Sequence, residues 1–255
     1  MIRMEHLDNL QRVQETFENE AARHNLKGAV GVADFRSVFQ TLLPVQQNKL
    51  EDFCGRGLPG LLKGGSVISF AYAPPEYAIE AIALRGDDGY DKRSWNIYAR
   101  EYHRLNRALD ATAERLAEEA DGIAIPATTE GVGMVGHVED YNGMVVSHRV
   151  AAEQAGIGWR GKNELIVNPT YSCAVRLASV VTNLPLERTP PSDRGCGDCH
   201  ACLDACSFLR FKDRLDDYRE QCRRYIIYLG LDEEICGKCI KACYFDSIYR
   251  HRFKL

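Results

Sequence analysis

The sequence predicts an α+β fold over residues 1–190, followed by a small cysteine-rich unit over residues 191–255. Three observations lead there. Helical and extended patterns alternate irregularly through the first part, with no internal repeat and no regular strand–helix–strand rhythm. Pro185, Pro190 and Pro191 then mark a linker. Beyond it lie eight of the ten cysteines.

Each element has its own signal. Leu7, Leu10, Val13, Phe17 and Ala21 recur at helical spacing and predict an opening amphipathic helix. Gly28–Asp34 reads as a short strand. Ser66–Ala73 reads as a buried one, stopped by Pro74 and Pro75. Tyr98, Tyr102, Leu105, Leu109 and Leu116 share a face of a long helix expected from Ser94 to Glu119. Gly122–Pro126 predicts a strand, and Val145–Gln154 a helix stopped by Gly156. Further strands are expected at Glu164–Val167 and Ala174–Thr182.

The cysteines carry the chemistry. Cys196, Cys199, Cys202 and Cys206 form C-x2-C-x2-C-x3-C; Cys222 stands alone; Cys236, Cys239 and Cys243 form C-x2-C-x3-C. The first run has the spacing of bacterial ferredoxins that carry two [4Fe–4S] clusters. There, three close thiolates hold one cube and the fourth crosses to the other. By that logic one cluster takes Cys196, Cys199, Cys202 and Cys243, and the second takes Cys206, Cys222, Cys236 and Cys239. Structural zinc favours paired C-x2-C knuckles and does not explain the x2-x2-x3 run. Disulfides suit secreted mini-domains, whereas this chain has 255 residues and its N-terminus lacks a secretory pattern. Iron–sulfur ligation favours a reducing, cytoplasmic setting. No apolar run approaches a membrane span. The net charge of −4 argues against general nucleic-acid binding, and the basic tail of Arg250, His251, Arg252 and Lys254 reads as a short solvated end.

One further segment stands out. Ala155-Gly-Ile-Gly-Trp-Arg-Gly-Lys-Asn163 places three glycines within six residues beside two hydrogen-bond donors, Lys162 and Asn163. Glycine lets backbone approach a flat ligand closely, and equally serves as a helix cap and turn. Cys54 and Cys173 have no partners at ligand spacing and read as small buried hydrophobes. His137, Tyr141 and His148 read as structural.

The A-G-x-G-W-x-G-K-N stretch, the Thr182-Asn-Leu-Pro-Leu186 strand end and the eight cysteines, in that order, resemble the epoxyqueuosine reductase family, across roughly Ile97 to Cys243. The resemblance implies a nitroreductase/flavin-reductase-like domain that binds base-off cobalamin, followed by a ferredoxin-like domain with two [4Fe–4S] clusters. It places Gly156, Gly158, Trp159, Gly161, Lys162 and Asn163 along the corrinoid. It also implies that a ferredoxin- or flavodoxin-type donor supplies electrons and that the substrate is epoxyqueuosine in tRNA. The family's catalytic acid is the aspartate of an Asp-Tyr-His triplet; here Glu101-Tyr102-His103 occupies it, so Glu101 is expected to be the proton donor, in an apolar pocket, and His103 its assistant. With only twelve residues after Cys243, the sequence reads as a short form without the family's C-terminal helical domain. Other readings stay open: a cobalamin reductase of a small molecule, including a dehalogenase; an electron-transfer or corrinoid-reactivating protein; and flavin in place of cobalamin.

Overall fold

The computed structural model describes residues 2–83 and 91–249, with side chains from residue 5 onward; the basic tail from Arg250 lies outside the described residues. In chain order the elements are α1 (Ile2–Arg23), β1 (Lys27–Asp34), α2 (Phe35–Thr41), α3 (Pro44–Cys54), α4 (Leu58–Gly64), β2 (Ser66–Ala73), α5 (Glu76–Glu80), α6 (Lys92–Glu119) and β3 (Gly122–Ile125). Then follow α7 (Val138–Tyr141), α8 (His148–Gln154), β4 (Trp159–Arg160), β5 (Ile166–Val167), β6 (Arg176–Thr182), α9 (Ala201–Asp204), α10 (Ser207–Arg210), α11 (Tyr218–Leu229) and α12 (Lys238–Asp246). The fold mixes helix and sheet, as expected.

Four strands form one antiparallel sheet in the order β1-β2-β6-β3, and β4 and β5 pair as a separate ribbon. Central strand β2 is buried on both faces, which explains its continuous apolar run. Alternation then sorts its side chains. Ile68, Phe70 and Tyr72 join Val13, Phe17, Leu105, Leu109 and Leu116 beneath α1 and α6. Val67 and Ala71 join Phe35, Leu50, Leu61 and Val150 beneath the helices of the opposite face. The sheet is therefore sandwiched between two helical layers.

Helix α6 has 28 residues and so reaches about 42 Å, against about 27 Å for the eight-residue strands. Asp91 caps its N-terminus by accepting from the Arg93 N–H. Its C-terminal half covers the sheet. Its N-terminal half carries Trp95, Tyr98 and Ala99 into a third apolar cluster with Ile79, Ile82, Leu229 and Ile235, flanked by Cys236 and Ile240. The cysteine-bearing helices thus dock on the end of a helix that also roofs the sheet. Polar bonds fix the joint: Trp95 Nε1 donates to the Cys236 carbonyl at 2.8 Å, and the Asn96 side chain bonds both Asp232 Oδ1 (2.6 Å) and the Asp232 N–H (3.0 Å).

A second joint clamps the loop before α7. Arg223 on α11 donates to the carbonyls of Val132, Val135 and Gly136, and Glu220 accepts the Val138 N–H. Arg223 donates to both Glu220 oxygens from one guanidinium edge, Nε and Nη2, each at 2.8 Å. Arg223 holds the Glu220 carboxyl down to about 2.

The structure departs from the sequence expectations in three places. The helix expected from Val145 begins at His148, after Ser147. The strand expected at Glu164–Val167 is only Ile166–Val167, because Glu164 takes a left-handed φ of 64° in a turn closed by its N–H to the Gly161 carbonyl. Residues 35–64, unassigned from sequence, form three short helices.

Trp95 is fully buried at the joint. Trp95→Ala is expected to cost about 3–5 kcal/mol by removing a buried indole and orphaning the Cys236 carbonyl, measured as a lowered urea midpoint.

Candidate functional site

The cysteine positions follow from helix geometry. Cys196 and Cys199 lie in the turn before α9, Cys202 lies on α9, and Cys206 caps α10. Cys222 lies on α11, and Cys236 just before α12. Gly237, at φ +85°, makes the turn into α12, and a Cβ there would press on Ile82 and Tyr98. Cys239 and Cys243 are one turn apart on α12, so a single helix offers sulfur to two places.

The chain does bring the eight thiols into two groups. Cys196, Cys199, Cys202 and Cys243 line one cavity, together with Trp159, Lys162, Asn163, Val167, Ser247 and Tyr249. Burial pushes the Cys202 thiol up to about 12, helped by Cys243, Cys196 and Cys199. In the other group, burial raises Cys222 to about 12, helped by the neighbouring Cys236 and Cys206. Burial likewise raises Cys236 to about 11 and Cys239 well above the usual thiol range, the latter beside Cys236, Cys222 and Cys206. Cys239 also feels Cys202, so the two groups meet there.

Such thiols stay protonated unless a positive centre compensates for their burial. Among the described residues no group of three or more His, Cys, Asp or Glu side chains is placed to hold a single metal ion. The first group instead surrounds a space and has a hydrogen-bond donor aimed at it. Trp159 Nε1 lies 3.4 Å from Cys196 Sγ. Four thiols around one space are the donor set that an iron–sulfur core takes.

Cys173 belongs to this neighbourhood, which its sequence spacing did not reveal. It is buried, packs with Trp159 and Cys243, and accepts from Asn163 Nδ2 at 3.2 Å. Its S–H points to the Cys239 carbonyl at 3.8 Å, and its contact with Cys243 draws that thiol down to about 7. Ser247 Oγ lies 3.4 Å from Cys199 Sγ. Neither residue lies in a recognisable motif; only the fold brings them here. Cys54, by contrast, is the buried hydrophobe expected, its thiol raised by burial to about 11.

The glycine-rich segment packs against chain. A Cβ on Gly158 would overlap the Val167 carbonyl of the paired strand β5. Gly156 faces the Pro190 carbonyl, and Gly161 faces Val167 and Asn163. Trp159, Lys162 and Asn163 turn to the thiol cavity, with Lys162 Nζ donating to the Gly197 carbonyl at 2.8 Å. The three glycines therefore do not present an open cradle for a macrocycle.

Glu101 lies on α6, one turn past Tyr98. An apolar pocket was expected around it, but both its oxygens are engaged: Tyr77 Oη donates to Oε1 at 2.8 Å and Arg104 Nε to Oε2 at 2.7 Å. In this arrangement Glu101 is an acceptor, and the hydrogen bond raises the Tyr77 phenol above its ordinary range. His103 is 54% exposed and pairs with Glu233 at 3.0 Å. The structure does not bring it to Glu101. Between them, Tyr102 lies under the Arg176 guanidinium, 4.1 Å from the ring centre. His148 is buried between Ser179 Oγ and the Pro126 carbonyl and is held down to about 4, mainly by burial. It is a neutral structural residue. His137 caps α7, and Tyr141 donates to the Glu130 carbonyl.

Since Gly158 meets backbone, Gly158→Ala should separate β4 from β5 and destabilise the protein by about 1–3 kcal/mol. A thermal melt checks this against Gly136→Ala, whose Cβ would enter open space.

No protein-family model matches the chain. An epoxyqueuosine reductase of Listeria monocytogenes is 32% identical over 145 residues, 55% of this chain and 34% of the relative. One of Pseudomonas aeruginosa is 33% identical over 179 residues, 69% of this chain and 44% of the relative. The matched stretches thus span less than half the length of these curated relatives. Among solved structures, an epoxyqueuosine reductase with an epoxyqueuosine-modified tRNA-Tyr stem loop superposes with a TM-score of 0.50 at 21% identity, covering 96% of this chain and 67% of the other. That likeness concerns the fold. In sequence the chain is similar to epoxyqueuosine reductases over part of their length.

Proposed function

We propose that the chain is an iron–sulfur reductase of the epoxyqueuosine reductase kind, with cobalamin as its second cofactor and tRNA-borne epoxyqueuosine as its substrate. The observation that supports this most is the sorting of eight cysteines into two four-thiol groups beside the sheet, in a chain similar in sequence to enzymes so named. The tRNA stem loop held by one solved relative makes such a stem loop the substrate to test. The accompanying domain reading is a nitroreductase/flavin-reductase-like unit over residues 1–190 and a ferredoxin-like unit over 191–255, in a reducing cytoplasm. Among the described residues no helix is long and apolar enough to cross a membrane.

When bound, the clusters would supply single electrons, drawn from a ferredoxin- or flavodoxin-type donor, and cobalamin a strongly reducing cobalt centre. Cobalamin enters by the family resemblance, and no residue contact is assigned to it, because Gly156, Gly158 and Gly161 face chain. Cys196, Cys199, Cys202 and Cys243 would hold the first cluster, and Cys206, Cys222, Cys236 and Cys239 the second. Trp159, Lys162 and Asn163 line the same cavity and would face the first cluster. Glu101 would hand a proton to the leaving oxygen, which requires a proton on one carboxyl oxygen in place of the Arg104 contact. The engagement of both Glu101 oxygens favours a second reading, a protein that relays electrons to a partner and has no substrate of its own.

Anaerobically prepared protein should contain about eight irons and eight sulfides. Cys222→Ser should weaken one cluster and spare the other. One zinc without sulfide ends the proposal.

With an epoxyqueuosine-modified stem loop, cobalamin and a low-potential donor, the enzyme reading expects turnover. Glu101→Gln should lower it by about two to four orders of magnitude. Full iron content without any turnover favours the relay.

A further inference from the structure

We propose that Trp159 sets the reduction potential of the cluster held by Cys196, Cys199, Cys202 and Cys243, by donating its indole N–H to Cys196 sulfur. The inference rests on the iron–sulfur reading given above. Its geometric basis is the 3.4 Å approach of Nε1 to Cys196 Sγ by a tryptophan only 7% exposed. Indole is a donor only, so a sulfur acceptor suits it whether Cys196 is a thiol or a thiolate. The ring is held from behind. Its backbone pairs with Val167 across β4–β5, and Gly158 brings that pair into close contact. Val167, Cys173 and Cys243 pack around it.

A hydrogen bond to a ligand sulfur stabilises whichever cluster state carries more negative charge. That state is the reduced one, formed when a one-electron donor adds an electron to the oxidised cluster with no atom transferred. The N–H therefore raises the potential. Ser247 supplies a second donor on another ligand, because its hydroxyl must become the donor once Cys199 is a thiolate. Both donors act on the cluster whose cavity is walled by Trp159, Lys162 and Asn163, residues from beside the sheet.

The test is an anaerobic dithionite titration of the reconstituted full chain, followed by electron paramagnetic resonance, for wild type and Trp159→Phe. The reduction equilibrium of the first cluster should fall about tenfold, which is about 59 mV for one electron. The second cluster should not move, and iron should stay at wild-type content. Trp159→His, which keeps a ring N–H, should recover part of the shift. An unchanged potential with full iron overturns the proposal and leaves the cluster reading intact. Equal shifts in both clusters, or loss of half the iron in Trp159→Phe, also overturn it, since they show a packing role. Wild-type protein without iron or sulfide overturns both this inference and the function on which it rests.

Discussion

The first two turns of α6 extend past the sheet that the rest of the helix covers, and the fold depends on how that overhang is buried. Trp95, Tyr98 and Ala99 face the wrong side for solvent and have no strand beneath them. The cysteine-bearing segment has the opposite deficit, being too short to build a core of its own. Docking one on the other solves both problems. It also ties the ligand-bearing backbone to a rigid support. The Trp95 indole holds the Cys236 carbonyl, and Tyr98 lies against the turn at Gly237 that starts α12. The Tyr98 phenol is raised by burial, with the thiols of Cys239 and Cys173 among its electrostatic neighbours. Sulfur placement is thus a consequence of helix packing.

The buried thiols add an electrostatic constraint. Burial, and the neighbouring thiols, push Cys202, Cys222 and Cys239 upward, so each group is costly as thiolates. On the proposed iron–sulfur reading, iron would supply the compensating charge, and cluster binding would be coupled to the folding of this segment. Cys243 is the exception. Its contact with Cys173 draws it below the ordinary thiol range.

Much of this was legible in the sequence, for reasons that differ by element. The strands at Gly28–Asp34 and Ser66–Ala73 and the helix ending at Glu119 are long and strongly patterned, and the structure places them within a residue or two of expectation. The two cysteine groups follow from local spacing, since x2 and x3 steps decide which way each sulfur turns. What could not be read depends on residues far apart in sequence. The ribbon β4–β5 has two-residue strands, too short for any period to register. Tyr77 lies 24 positions from Glu101, and Ser247 lies 48 from Cys199. The glycines were legible as a demand for close approach. What approaches them, the Val167 and Pro190 carbonyls, was not.

The two thiol groups are not equivalent in what holds them. The first is walled by the β4–β5 ribbon through Trp159 and Val167. The second draws Cys222 from α11, where the adjacent Arg223 and nearby Glu220 grip the loop from Val132 to Val138. Each group is therefore bonded to a different part of the sheet-bearing half. Disturbing Cys222 acts on the loop ahead of α7, whereas disturbing Cys196 acts on the ribbon. Cys239, beside Cys236, Cys222 and Cys206, also has Cys202 of the first group among its electrostatic neighbours, and it shares α12 with Cys243, so one helix serves both groups.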